Sequence, residues 1–171
     1  MTATLTIATA TPEDARDVAA VRNAAAERLT REHGRGHWSG FTTEDGVLRG
    51  INSSRVLVAR AGGVIVGTLR LATKKPWAID VAYFANSKRP LYLVDMAVAP
   101  DAQREGVGRQ LLEAAEKTAR GWNADAIRLD AYDHAAGAGP FYKKCGFEEV
   151  ARAAYRGVPL IYFQRLLQGT S

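Results

Sequence analysis

Cysteine is nearly absent: Cys145 is the single one in 171 residues, which excludes an internal disulfide and with it the small stapled scaffolds. Histidine is scarce too, His33, His37 and His134 being scattered, and nothing near Cys145 has a metal-ligand spacing, so no metal is implied. No apolar run approaches the ~20 residues that cross a bilayer. The opening Met1-Thr2-Ala3-Thr4-Leu5-Thr6-Ile7 lacks both the basic start and the long apolar stretch of a secretory signal. The expectation is a cytoplasmic protein without a membrane partner. Internal repeats, low-complexity tracts and linkers are missing as well, and the length suits one domain over residues 1–171 with a sizeable core.

Acid does not balance base. Lys and Arg number 23 against 18 Asp and Glu, a net charge of +5. The basic residues are dispersed and form no stripe with interleaved aromatics, which argues against a nucleic-acid partner. A polyanionic small ligand accounts for part of the excess, since Arg104 and Arg109 flank one glycine-containing loop.

Periodicity supplies the elements. Leu5 to Ala8 alternate as a strand, and Thr11-Pro12-Glu13-Asp14 is a helix start, with a Thr cap, Pro in first position and acids in the first turn; that helix is expected to reach about Thr30. A second, short helix is expected over Thr43 to Arg49. Arg55 to Ala59 and Val64 to Leu71, joined by Gly62-Gly63, read as an antiparallel hairpin. Lys74 to Phe84 shows neither period and reads as a long loop. Leu91 to Val98 is an apolar strand ending at Pro100-Asp101, and Val107, Leu111, Ala115 and Ala119 form one helical stripe after it. Ala126 to Ala131 is a strand, Ala135 to Lys144 a short helix ended by Gly146, and Phe147 to Tyr155 and Leu160 to Leu166 are closing strands.

Between the apolar strand and the striped helix lies Gln103-Arg104-Glu105-Gly106-Val107-Gly108-Arg109. The free N–H groups of a helix's first turn, with its dipole behind them, suit a phosphate, and glycines let the backbone close around it. An ordinary tight turn is the competing reading. No Gly-Lys-Ser/Thr follows, which excludes the usual phosphate loop of nucleotide hydrolases, and the dinucleotide fingerprint lacks its third glycine.

The apolar strand, Gln103-x-x-Gly106-x-Gly108, the Leu111-Leu112 helix and the downstream Phe141-Tyr142-Lys143-Lys144-Cys145-Gly146-Phe147 together resemble the GNAT superfamily of acyl-CoA-dependent N-acetyltransferases, over roughly residues 91 to 150. The resemblance implies an α+β fold, a mixed and mostly antiparallel sheet of about seven strands with helices on both faces. It implies acetyl-CoA as co-substrate, its pyrophosphate held at Gln103, Arg104, Glu105, Gly106, Val107, Gly108 and Arg109 and its pantetheine paired with the backbone of Met96, Ala97 and Val98. Tyr142 matches the position that protonates the CoA sulfur in many members; a core tyrosine is the alternative. Asp95 interrupts an apolar strand, where an isolated carboxylate is costly unless paired or facing water. It is the candidate base for the amine proton, or else one half of a structural ion pair, with Asp130, Asp133 and His134 as fallbacks.

Ala135 stands where many relatives carry a pantetheine-contacting asparagine. His37, Trp38, Trp77, Asp80, Tyr83 and Phe84 are expected either to border the acceptor side or to anchor loops. The function implied is transfer of the acetyl group to a primary amine, of a small molecule or else of a protein amino terminus or lysine. A non-catalytic acyl-CoA-binding module is the alternative from another class. Homodimers are common among such proteins, and no interface signature is visible here.

Overall fold

The structure, a computed structural model, describes residues 4–167, so the opening Met1-Thr2-Ala3 lies outside the described residues. Among the described residues, seven strands form one mixed sheet in the order β1-β2-β3-β4-β5-β7-β6, accompanied by four α-helices. β1 with β2, β2 with β3, β5 with β7 and β6 with β7 pair antiparallel, whereas β4 with β5 runs parallel from Pro90↔Ala126 to Tyr92↔Arg128. The expected class, α+β with about seven mostly antiparallel strands, is the one observed. The chain clusters into two compact units, the first reaching to Leu71 and including Val94–Ala115, the second comprising Ala72–Leu93 and the chain from Glu116 onward.

In the first unit, β1 (Leu5–Thr9) leads through a short 3-10 turn at Pro12–Asp14 into α1 (Ala15–His33), which runs three residues past the expected Thr30 and ends at Gly34. In α2 (Glu44–Ser53) the hydroxyl of Thr43 caps the helix by accepting from the amide of Gly46 at 3.0 Å. The hairpin of β2 (Arg55–Ala61) and β3 (Val64–Ala72) turns at Gly62-Gly63, where both residues have positive φ, 58° and 83°, as a type I′ connection requires. Val18, Ala19 and Val21 of α1 and Val47 of α2 pack with Val56, Val58 and Ile65 into this unit's core.

Neighbouring residues of a strand face opposite ways. A Cβ on Gly67 of β3 would lie 2.9 Å from the side chains of both Val107 and Leu111, on α3 (Val107–Gly121). A Cβ on Gly50 of α2 would lie 3.1 Å from Cδ of Arg70, which is three residues along β3 and therefore on the other face. Helices thus cover both faces here, and Gly67 is bare because α3 sits directly on it.

In the second unit, residues 73–89 form a long connection that contains the expected loop from Lys74 to Phe84 and one 3-10 turn at Val81–Tyr83. Asp125 holds it: its carboxylate accepts from the Ser87 hydroxyl and from the amides of Lys88 (2.9 Å) and Arg89 (3.3 Å). Ile79 and Phe84 pack on Tyr92, Leu160 and Tyr162. The buried Arg128 of β5 (Ala126–Tyr132) lies over the Phe84 ring, 5.1 Å from its centre, and donates to the Ala85 carbonyl (2.8 Å) and the Tyr92 hydroxyl (3.2 Å). β6 (Glu148–Tyr155) and β7 (Val158–Leu166) form the closing hairpin.

One helix is shorter than its sequence suggests: α4 spans Gly139–Lys144, starting four residues after the expected Ala135. Residues 134–137 form a tight turn, in which Gly137 donates to the His134 carbonyl at 2.8 Å. The chain passes so close to Tyr132 that a Cβ at Gly137 would lie 1.9 Å from its carbonyl oxygen. Pro140, which lacks an N–H, is accommodated in the first turn, where that group has no helical partner.

Candidate active site

The loop that precedes α3 is built by the last residues of β4 (Pro90–Val98) and a 3-10 turn at Pro100–Ala102. Gln103 closes it by donating from its side-chain amide to the Val98 carbonyl at 3.2 Å. Arg104 and Gly106 both have positive φ, 67° and 82°, so the turn reverses sharply before the helix. A side chain at Gly106 would meet nothing within 4 Å, so the space in front of the turn is open. Gly108 is not part of the turn, for it occupies the second position of α3. The first helical bond runs from the Gln110 amide to the Gly106 carbonyl at 3.1 Å. Helix geometry therefore gives the amides of Val107, Gly108 and Arg109 no carbonyl one turn earlier.

Gln103, Arg104, Glu105, Gly106 and Arg109 are exposed, Gly108 is partly so, and Val107 is buried beneath them. Two guanidinium groups, a glycine turn and a helix N-terminus in one exposed segment suit a phosphorylated ligand. These residues fit the pyrophosphate of acetyl-CoA.

Asp95 of β4 has φ of 58°, a left-handed conformation that a non-glycine residue adopts at a cost of order 1–3 kcal/mol. Its carboxylate is held at both oxygens: Nη2 of Arg22 donates to Oδ1 at 3.1 Å and Nε of Arg70 donates to Oδ2 at 2.9 Å. The ion pair weighed from the sequence is therefore present, made with two arginines. The three side chains are half-buried and line a cavity of about 190 Å³ walled by α1, α2, β2, β3 and β4. Met96, Ala97 and Val98 follow directly, and all are partly exposed.

Tyr142 lies on α4 and is buried among Phe141, Phe147 and Phe163, with ring centres 5.6–5.9 Å away. Burial first, then the charges of Asp130 and Cys145, push its phenol well above the ordinary tyrosine value. Burial likewise raises the carboxyl of Asp130, and no salt bridge pairs it among the described residues. Of the fallback residues, Asp133 pairs with Arg152 at 3.3 Å and the His134 ring accepts from the Ala136 amide at 2.9 Å.

The aromatic residues divide by role. Phe84 is an anchor of its loop, and Asp80 caps the turn at Val81–Tyr83 by accepting from the Ala82 amide at 2.9 Å. Trp38 donates from its indole to the Gly34 carbonyl at 2.9 Å, while Trp77 is 83% exposed. Sequence reasoning missed Arg22 and Arg70, which stand 73 and 25 residues from Asp95 and carry no local signal.

No helix among the described residues is long and apolar enough to cross a membrane, and no group of three or more His, Cys, Asp or Glu there could hold a metal ion. No curated protein sequence matches the chain. Solved structures share its fold at low identity. The yncA protein of Salmonella typhimurium, determined with its cofactor acetyl-CoA, is 20% identical with a TM-score of 0.73, covering 98% of this chain and 96% of that one. The PaiA N-acetyltransferase of Thermoplasma acidophilum, in complex with coenzyme A, is 16% identical with a TM-score of 0.70 over 93% and 98%. The ribosomal-protein-S18-alanine N-acetyltransferase of Escherichia coli is 16% identical with a TM-score of 0.72 over 98% and 97%. The model of the acetyltransferase (GNAT) family matches residues 19–147, well over half the sequence, and the chain belongs to that family.

Proposed function

We propose that residues 1–171 act as one cytoplasmic N-acetyltransferase domain that moves the acetyl group of acetyl-CoA to the primary amine of a small molecule. The observation that carries this reading is the open turn at Gly106 before α3, flanked by Arg104 and Arg109, in a chain of the GNAT family. Acetyl-CoA, when bound, supplies the acetyl group as a thioester. Gln103 to Arg109 hold its pyrophosphate through backbone N–H groups and the two guanidiniums. The main chain of Met96, Ala97 and Val98 pairs with the pantetheine.

In this reading the amine attacks directly within a ternary complex; its nitrogen bonds to the acetyl carbon and the carbon–sulfur bond breaks. Tyr142 donates its hydroxyl proton to the departing thiolate. A phenol carries its proton at neutral pH, as a donor must; burial adds nothing to that and makes Tyr142 a weaker acid, so the role rests on its position in the motif. Asp95 takes the amine proton, directly or through water. A carboxylate has about four acceptor positions, and the two arginines occupy two of them.

The test is calorimetric titration of acetyl-CoA into the wild-type protein and Gly106→Trp, with circular dichroism to confirm folding, followed by thiol release across a panel of amines. Binding that is lost in the folded variant and thiol release with at least one small amine are expected. Equal affinity in both proteins would refute the pyrophosphate assignment.

A further inference from the structure

The cavity beside Asp95 carries more positive charge than its one acid neutralises. Arg22 and Arg70 share the Asp95 carboxylate, and Arg49 of α2 stands at the rim. No ion pair to Arg49 occurs among the described residues, and Asp95 is the only acidic residue among those lining the cavity. Three arginines around a cavity with one carboxylate, two of them paired to it, leave a local excess of two positive charges. A purely structural pair would need one cation, and self-repulsion opposes crowding more into a half-buried space.

The donors are not exhausted. A guanidinium offers five N–H groups. The Arg70 side chain uses Nε on Asp95 and Nη1 on the Ser54 hydroxyl at 3.4 Å, and Arg22 uses Nη2 on Asp95. The helix above the cavity is also opened at a cost. Gly46 and Gly50 lie one turn apart inside α2, both line the space, and each weakens the helix relative to alanine. At Gly50 the vacancy admits the stem of Arg70. Strain at Asp95, two glycines in a helix and unneutralised guanidiniums converge on one cavity of about 190 Å³, room for several waters at ~30 Å³ each and so for a small molecule.

We infer that this cavity is the acceptor subsite and that it selects amines that also bear a carboxylate, α-amino acids being the simplest class. The acceptor's carboxylate takes the free N–H groups of the arginines, and its amino group meets the unused acceptor positions of Asp95. This rests on the acetyl-transfer reading given above and narrows it from amines in general to amino acids. A purely cationic amine is disfavoured by the charge excess.

The experiment compares the twenty L-amino acids with their twenty carboxamides as acceptors by thiol release, using the wild-type protein and Arg49→Ala. Turnover with one or more acids and not with the matching amides is expected, with KM for the acid raised about tenfold in Arg49→Ala. Acetyl-CoA affinity should be unchanged, since Arg49 is exposed and remote in sequence from the pyrophosphate turn. Amides accepted as well as acids would overturn the inference. A binding arm needs no acetyl transfer: backbone amide signals of Val47, Gly50 and Thr68 are followed by NMR with the same acids and amides. Shifts caused by an acid, not by its amide, and lost in Arg49→Ala support the subsite even if no acceptor is acetylated, a result that would defeat only the enzymatic reading. Absence of shifts with every acid overturns the subsite.

Discussion

Asp95 and Asp130 are both carboxylates set in apolar strands, and their surroundings treat them in opposite ways. Asp95 is held by Arg22 and Arg70 at the edge of a cavity with surplus positive charge. Asp130 is raised by burial, with no cation paired to it among the described residues, and its charge in turn helps to raise Tyr132 and Tyr142. A carboxylate in a strand is therefore no single signal. Where cations converge, the acid organises a polar pocket; where they are missing, it keeps its own proton longer and holds neighbouring phenols protonated.

The sharpest probe of the Asp130 side is Tyr142→Phe. The ring and its packing on Phe147 and Phe163 remain, so the fold should persist while turnover drops at least about 100-fold with acetyl-CoA affinity retained. A parallel loss of turnover and affinity would remove Tyr142 from the chemistry. On the other side, Asp95→Ala leaves two half-buried guanidiniums without their acid and places alanine at φ of 58°. Breaking a fully buried pair costs about 3–5 kcal/mol, and with partial exposure a loss of about 2 kcal/mol is expected from urea unfolding. Separately, Asp95→Asn keeps the shape of the side chain and removes its charge, so turnover should fall at least about 100-fold with acetyl-CoA affinity retained; unchanged turnover would remove Asp95 from the chemistry.

Asp130→Asn tests the contrast through pH. A carboxyl raised in the folded state binds its proton more tightly there, so its contribution is present at acid pH and is lost as pH rises from the unfolded value near ~3.9 through the raised one. Urea midpoints should show the variant matching or exceeding the wild-type protein at pH 7, with the advantage vanishing toward acid pH. An advantage that grew toward acid pH would contradict the assignment. Arg152→Ala supplies the exposed limit. Its pairs with Glu149 at 3.1 Å and Asp133 at 3.3 Å are solvent-facing, and no resolvable shift of the urea midpoint is expected in the same assay.

Much of this was legible in the residues alone, for reasons that are local. The Gly62-Gly63 turn, the Thr43 cap, the Val107–Leu111–Ala115–Ala119 stripe and the reversal at Gly106 each depend on a residue type at its own position, and each is found. The turn that delays α4 was not legible, because the close approach of Gly137 to the Tyr132 carbonyl is invisible in a list of glycines. The reason Gly67 lacks a side chain emerges only when α3 is laid upon β3.

The order and kind of the elements follow from the residues alone, since hydrophobic period, capping and turn chemistry act between residues a few positions apart. Which charges Asp95 meets, and that no cation among the described residues pairs with Asp130, follows from tertiary packing, because contacts across 73 or 25 residues are set by how strands and helices pack, and electrostatic environment follows that packing.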